Sequence, residues 1–159
     1  MSKQKVVICQ DLKAELQLFL ENLDYDKLFV LTDTNTVDKC FPLIKDVPAV
    51  KKSGLIVVEA TDLHKNLESL SAVWKHLSNE GASRHSLLLN LGGGMVTDMG
   101  GFAGATFKRG IRTVNVPTTL MASVDAAVGG KTGINFNGLK NEIGAFYPPL
   151  CVFIDCGFL

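Results

Sequence analysis

The sequence predicts an α/β fold, a mostly parallel sheet with helices on both faces. Three observations carry that expectation. Short apolar runs recur at Leu28–Leu31, Leu55–Val58, Leu87–Leu89, Thr113–Val116 and Cys151–Ile154. Continuous apolar runs of four or five residues are what strands covered on both sides require. The intervening segments show helical spacing, and this alternation is the mark of a layered α/β domain. Finally, a glycine triplet, Gly92-Gly93-Gly94, stands between a strand and a helix.

In chain order, Val6–Ile8 reads as a short strand, and Asp11 is placed to cap a helix over 11–23, in which Leu12, Leu16, Phe19, Leu20 and Leu23 recur at helical spacing. The strand at Leu28 runs into Thr32-Asp33-Thr34-Asn35, followed by a short helix to about Phe41 that Pro42 stops. After Leu55–Val58, the residues Leu63, Leu67, Leu70, Trp74 and Leu77 define one face of a helix over 62–79, a core-packing stripe, with Gly81 just past its end. Met95 to about Phe107 is a helix rich in Gly and Ala. Glycines at 100, 101 and 104 weaken it, so another helix or a ligand is expected to approach its backbone closely. Gly129–Pro149 breaks the rhythm and reads as a long irregular, polar stretch, for which a functional reason is expected.

The length of 159 residues suits about one domain of ~150 residues, and a 47% hydrophobic content excludes disorder. Sixteen basic and sixteen acidic residues balance to zero, so no basic field points to nucleic acid or an anionic membrane. Cys9, Cys40, Cys151 and Cys156 form no CxxC pair and are expected to be reduced thiols of a cytoplasmic protein. No signal-peptide core follows Met1, and no apolar stretch approaches the ~20 residues of a membrane helix.

Glycines between a strand and a helix let a phosphate reach the backbone N–H groups of the helix N-terminus. The pattern is not GxGxxG and lies in mid-chain, so the strict dinucleotide fingerprint fails; a tight turn is the plainer alternative. Asp98, one helical turn in, can cap or accept from a hydroxyl. Gly129-Gly130-Lys131-Thr132 looks like the end of a P-loop, but Asp125 occupies the position of its first glycine. Lys131 beside two glycines still suits an anion. Thr118-Thr119 stands at a strand end, either beside a ligand or as a cap. Lys140-Asn141-Glu142 is a second polar cluster, and Lys108-Arg109 adds positive charge after the small-residue helix. His64, His76 and His85 have no metal-ligand spacing, and no metal site is expected within the chain.

Taken together, Leu91–Asp98, Phe107–Gly110, Val116–Leu120, Val124–Gly133 and Leu139–Tyr147 resemble, in order and spacing, the 3-dehydroquinate synthases of the shikimate pathway. The resemblance implies a Rossmann-like NAD-binding N-terminal domain over residues 1–159. It implies cofactor contacts from Asp33, Asn35, Asp62, Lys65, Gly92, Gly93, Gly94, Asp98, Thr118, Thr119, Lys131, Lys140 and Phe158. Asp62 stands where members usually carry glutamate and is one methylene shorter. Asp125, Lys131, Lys140 and Asn141 match positions facing substrate or nicotinamide, and Arg109 matches an arginine that reaches the neighbouring subunit's phosphate site, so a homodimer is implied. The implied reaction converts 3-deoxy-D-arabino-heptulosonate 7-phosphate to 3-dehydroquinate and phosphate, using NAD and a Zn or Co ion.

The family's metal ligands, a Glu and two His, lie in a following helical domain, so the chain is expected to be an N-terminal fragment without turnover of its own. Two alternatives share parts of this pattern. Iron-containing alcohol or glycerol dehydrogenases have the fold but lack the Gly-Gly-Lys-Thr-Gly segment, and other sugar-phosphate cyclases vary Val128–Gly133. A non-catalytic nucleotide-binding fragment is the other reading.

Overall fold

The computed structural model describes residues 4–159. The strands and helices are β1 (Lys5–Ile8), α1 (Leu12–Glu21), β2 (Leu28–Asp33), α2 (Thr36–Lys39), α3 (Pro48–Lys51), β3 (Gly54–Val58), α4 (Leu67–Asn79), β4 (Leu87–Gly92), α5 (Gly94–Thr106), β5 (Arg112–Pro117), β6 (Lys131–Phe136), β7 (Leu139–Phe146) and β8 (Cys151–Ile154). Six strands form one sheet in the order β1-β8-β5-β4-β2-β3, and every pairing in it is parallel.

Alternation along the strands divides the core in two. Val30, Leu87, Leu89, Leu91 and Val114 pack against Leu12, Leu16 and Leu20 of α1 and Val50 of α3. Phe29, Leu31, Ile56 and Leu88 face Leu70, Val73 and Leu77 of α4 and Val96, Met99 and Phe102 of α5. The chain leaves β2 for β3 on one side and returns to β4 on the other. The carboxyl ends of β2 and β4 therefore flank the switch point at which open α/β sheets bind ligands.

The helix ends obey local chemistry. Asp11 Oδ1 accepts the Ala14 N–H at 3.2 Å, as expected of a cap. At the far end of α4, Gly81 takes φ 76°, its N–H reaches Ser78 O, and the Ala82 N–H reaches Leu77 O, closing a Schellman motif.

Several expectations need correction. The helix expected from 62 begins at Leu67, because Asn66 Oδ1 accepts the Ser69 N–H at 2.9 Å and caps it. Leu63 sits on a separate 3-10 turn and is 83% exposed; Val73 fills the buried face instead. The stretch 129–149 is not irregular. Lys131–Phe136 and Leu139–Phe146 form an antiparallel hairpin, turned by Asn137 and Gly138 at φ 53° and 76°. Two positive φ values suit a type I′ turn, for which Asn-Gly is the preferred pair.

The close approach at Gly100, Gly101 and Gly104 of α5 comes from the sheet and the hairpin. A Cβ on Gly100 would lie 2.0 Å from Asn90 Oδ1, and one on Gly104 would lie 2.3 Å from Thr113 Cγ2. On Gly101 it would meet Thr132 of β6 at 2.4 Å. Among the described residues, no helix is long and apolar enough to cross a membrane.

Candidate cofactor cleft

The glycine triplet forms the expected turn from β4 into α5. Gly93 is the N-cap of this 13-residue helix, with no side-chain cap, so the first N–H groups lack intrahelical partners. The turn is pressed from two sides. A Cβ on Gly92 would strike Val96 Cγ2 at 2.6 Å, and one on Gly93 would come within 3.2 Å of Thr119 Cγ2. Thr118 donates its N–H to Gly92 O at 2.9 Å, joining the neighbouring strand end to the loop. An uncapped N-terminus framed by glycine suits a diphosphate. Across the switch point, Asp33 is buried at the end of β2, and its Oδ1 accepts the N–H groups of Asn35 and Thr36, both at 2.8 Å. Thr36 Oγ1 donates in turn to Leu91 O at 3.1 Å.

Beside the loop lies a charge cluster drawn from three separate segments. Lys65 is only 4% exposed. Its Nζ donates to Asp98 Oδ2 on α5 at 3.1 Å and to Asn141 Oδ1 on β7 at 2.6 Å, and stands 3.4 Å from Asp62 Oδ1. A buried ammonium needs such partners. Burial raises the pKa of Asp98, and Lys65 only partly opposes this. Burial also pushes Asp62 up, but there the Asn135 hydrogen bond and Lys65 prevail and hold it below the usual carboxylate range.

Asp98, Asp125, Gly129, Lys131, Thr132 and Asn141 line one cleft of about 600 Å³. Its polar residues come from α5, from the π-helical turn Ala122–Ala126 and from the hairpin. Lys140 instead lines an adjoining hollow with Asp62 and Leu63. Asn35 is exposed at the start of α2. Thr118 is buried, while Thr119 Oγ1 accepts the Ala122 N–H at 3.2 Å, so Thr119 is a local cap as well as a wall of the glycine loop.

Two expected site residues stand apart. Arg109 is exposed beyond the opposite end of α5, about 20 Å from Gly94 by helical rise, and it and Lys108 both have left-handed φ values of 67° and 48°. Phe158 packs against the α1 side of the core. Among the described residues, no group of three or more His, Cys, Asp or Glu side chains is placed to hold a metal ion.

Sequence reading missed Asn135. Its N–H donates to Lys65 O at 2.8 Å, and its Nδ2 donates to Asp62 O at 3.0 Å and Asp62 Oδ2 at 3.1 Å. Its Oδ1 accepts the Asn141 N–H at 2.9 Å. The Asn137-Gly138 turn was the signal available, because recognising the hairpin places Asn135 opposite the Lys140-Asn141 segment.

Known proteins resemble the chain in sequence and fold. The chain is 75% identical over all 159 residues to a 3-dehydroquinate synthase of Parabacteroides distasonis, of which it spans 45%. It superposes with TM-score 0.87 and 30% identity on ValA, a 2-epi-5-epi-valiolone synthase from Streptomyces hygroscopicus subsp. jinggangensis solved with NAD+ and Zn2+ bound, covering 99% of this chain and 44% of that one. A 2-deoxy-scyllo-inosose synthase, solved with carbaglucose-6-phosphate, NAD+ and Co2+, shares the fold at TM-score 0.87 and 22% identity, over 97% of this chain and 43% of that one. The chain thus spans under half the length of these relatives. The model of the N-terminal part of 3-dehydroquinate synthase matches residues 55–159, from β3 through the glycine loop and the hairpin to the last strand, and by that match the chain belongs to the 3-dehydroquinate synthase family.

Proposed function

We propose that the chain forms the NAD-binding wall of a 3-dehydroquinate synthase, the enzyme that converts 3-deoxy-D-arabino-heptulosonate 7-phosphate to 3-dehydroquinate and phosphate. The observation that carries this reading is the meeting of an open α5 N-terminus with a cleft lined by Asp98, Asp125, Lys131 and Asn141. The 75% identity to a Parabacteroides 3-dehydroquinate synthase favours this cyclase over a dehydrogenase of related fold. In this proposal residues 1–159 are the NAD-binding N-terminal domain, and the rest of the whole protein supplies the divalent metal site, Zn or Co. The protein works as a cytoplasmic homodimer.

NAD, when bound, would supply reversible hydride chemistry at the carbon bearing one substrate hydroxyl, so the net reaction would consume none of it. The N–H groups of Gly94 and its successors would hold the diphosphate, and Asp33 would accept from the adenosine ribose. Asp98, kept in place by Lys65, would accept from the nicotinamide ribose. Lys131 is exposed at the cleft rim and draws in the anionic sugar phosphate, while Asp125 and Asn141 orient its hydroxyls. Arg109 serves the partner subunit's phosphate site.

The test is phosphate release by the full-length protein from the heptulosonate phosphate. Release that depends on NAD, with no net reduction of the nicotinamide, is expected. Net reduction without phosphate release would replace this reading with a dehydrogenase.

A further inference from the structure

The Lys65 cluster is assembled from groups far apart in sequence, and nothing in the backbone ladder by itself aims Asn141 at Lys65. The hairpin register slips between Ile134 and Phe136, and this irregularity contains Asn135. Asn141, opposite it, has a left-handed φ of 52°, uncommon for a non-glycine residue although asparagine tolerates it better than most. Asn135 Oδ1 is the acceptor of the Asn141 N–H, and Asn135 Nδ2 holds the Asp62 carboxylate and carbonyl. One carboxamide therefore contacts both neighbours of the Lys65 ammonium that lie outside α5.

We propose that Asn135 is a positioning residue that sets the Lys65–Asp98–Asn141 cluster for the cofactor, by holding Asn141 in its left-handed conformation and Asp62 against the hairpin. Asparagine suits this role because it offers an acceptor and a donor from one planar group. Aspartate keeps the acceptor but sets a second carboxylate against Asp62, and alanine keeps neither group. The inference rests on the NAD-binding reading for its consequence but not for its geometry.

The experiment compares Asn135→Ala and Asn135→Asp with the wild type in the full-length protein, following amide hydrogen exchange and calorimetric titration with NAD. Loss of the single acceptor is expected to speed exchange at Asn141 by about tenfold in N135A, while Leu89 and Val114 in the central strands stay protected. N135D is expected to restore Asn141 protection, whereas Asn135→Leu, which fills the space without an acceptor, is expected not to. N135A and N135D are both expected to bind NAD about tenfold more weakly, since each loses the donor to Asp62. Exchange at Asn141 unchanged in N135A, protection not restored in N135D, or an NAD affinity equal to wild type in both variants would each overturn the proposal. A wild type that binds no NAD would sink the cofactor reading, and the exchange result would still decide whether Asn135 holds Asn141.

Discussion

Replacing Gly100 by alanine tests the packing that presents the glycine loop. In an isolated helix the change would help, by about 0.8–1 kcal/mol. Here the new methyl would stand 2.0 Å from Asn90 Oδ1, 2.5 Å from Asn90 Cγ and 2.9 Å from Leu31 Cδ2. Asn90 is fully buried and donates to Asn115 Oδ1 at 3.0 Å, and Asn115 donates to Ala127 O at 3.0 Å. The side chain cannot swing away without leaving these groups unpaired. Overpacking costs about 1–3 kcal/mol, and a buried polar group left without its partner costs a similar amount. After the helix-propensity gain, the expected loss is about 1–5 kcal/mol, which lowers Tm by about 2–20 °C for a chain of this size. Gly129→Ala is the control, because its Cβ would meet Asp125 O at an ordinary 3.5 Å. Thermal unfolding followed by far-UV circular dichroism measures both. A G100A variant as stable as the wild type would refute the close approach of α5 to β4.

Two further outcomes follow from the titrating groups. The Cys9 thiol is pushed up to about 12 by burial, and then by the charges of Glu15 and Asp155, whereas Cys156 is exposed. Iodoacetamide at pH 8 should therefore modify Cys156 at least about tenfold faster than Cys9 by peptide mass mapping, and equal rates would contradict this. Asp26 is held below its ordinary pKa, first by the Ser83 hydroxyl and also by Ser86 at 2.7 Å. A depressed carboxylate stabilises the fold above its unfolded pKa, near 4, and loses that contribution as pH falls through the folded value. The stability gap between wild type and the Ser83→Ala, Ser86→Ala double variant in urea should thus shrink from pH 7 to pH 3; a gap independent of pH would show that Asp26 is not its source.

The sheet was legible because its strands are continuous apolar runs, and Leu87–Leu89 read straight into Gly92. Caps at Asp11 and Gly81 were legible because each is a local hydrogen-bonding choice. What spacing alone could not decide was Leu63: it fits the stripe of α4, but Asn66 caps the helix after it, and a cap outweighs one more apolar match. The glycines of α5 announced a close approach without naming the neighbour, since Asn90, Thr113 and Thr132 come from three other segments. The hairpin was hidden by its polar, exposed β7, which lacks the alternation of a half-buried strand, although Asn137-Gly138 marked its turn. In the candidate site, Gly92–Gly94 and Thr118-Thr119 follow from their places at strand ends, and Asp98 from its place one helical turn further on. The pairing of Lys65 with Asn141, 76 residues away, is purely tertiary, and so is the role of Asn135.

The central claim is that the glycine loop and its cleft bind NAD, and calorimetric titration of residues 1–159 with NAD tests it most directly, beside a Gly93→Val variant. The α5 N-terminus and the Lys65 cluster lie wholly within these residues, which span under half the length of the relatives, so weak but saturable binding is expected. In G93V it should vanish while the circular dichroism spectrum is kept, because the side chain would fill the space beside Thr119 that the diphosphate needs. No saturable heat from the wild-type chain, or equal binding by G93V, would contradict the account.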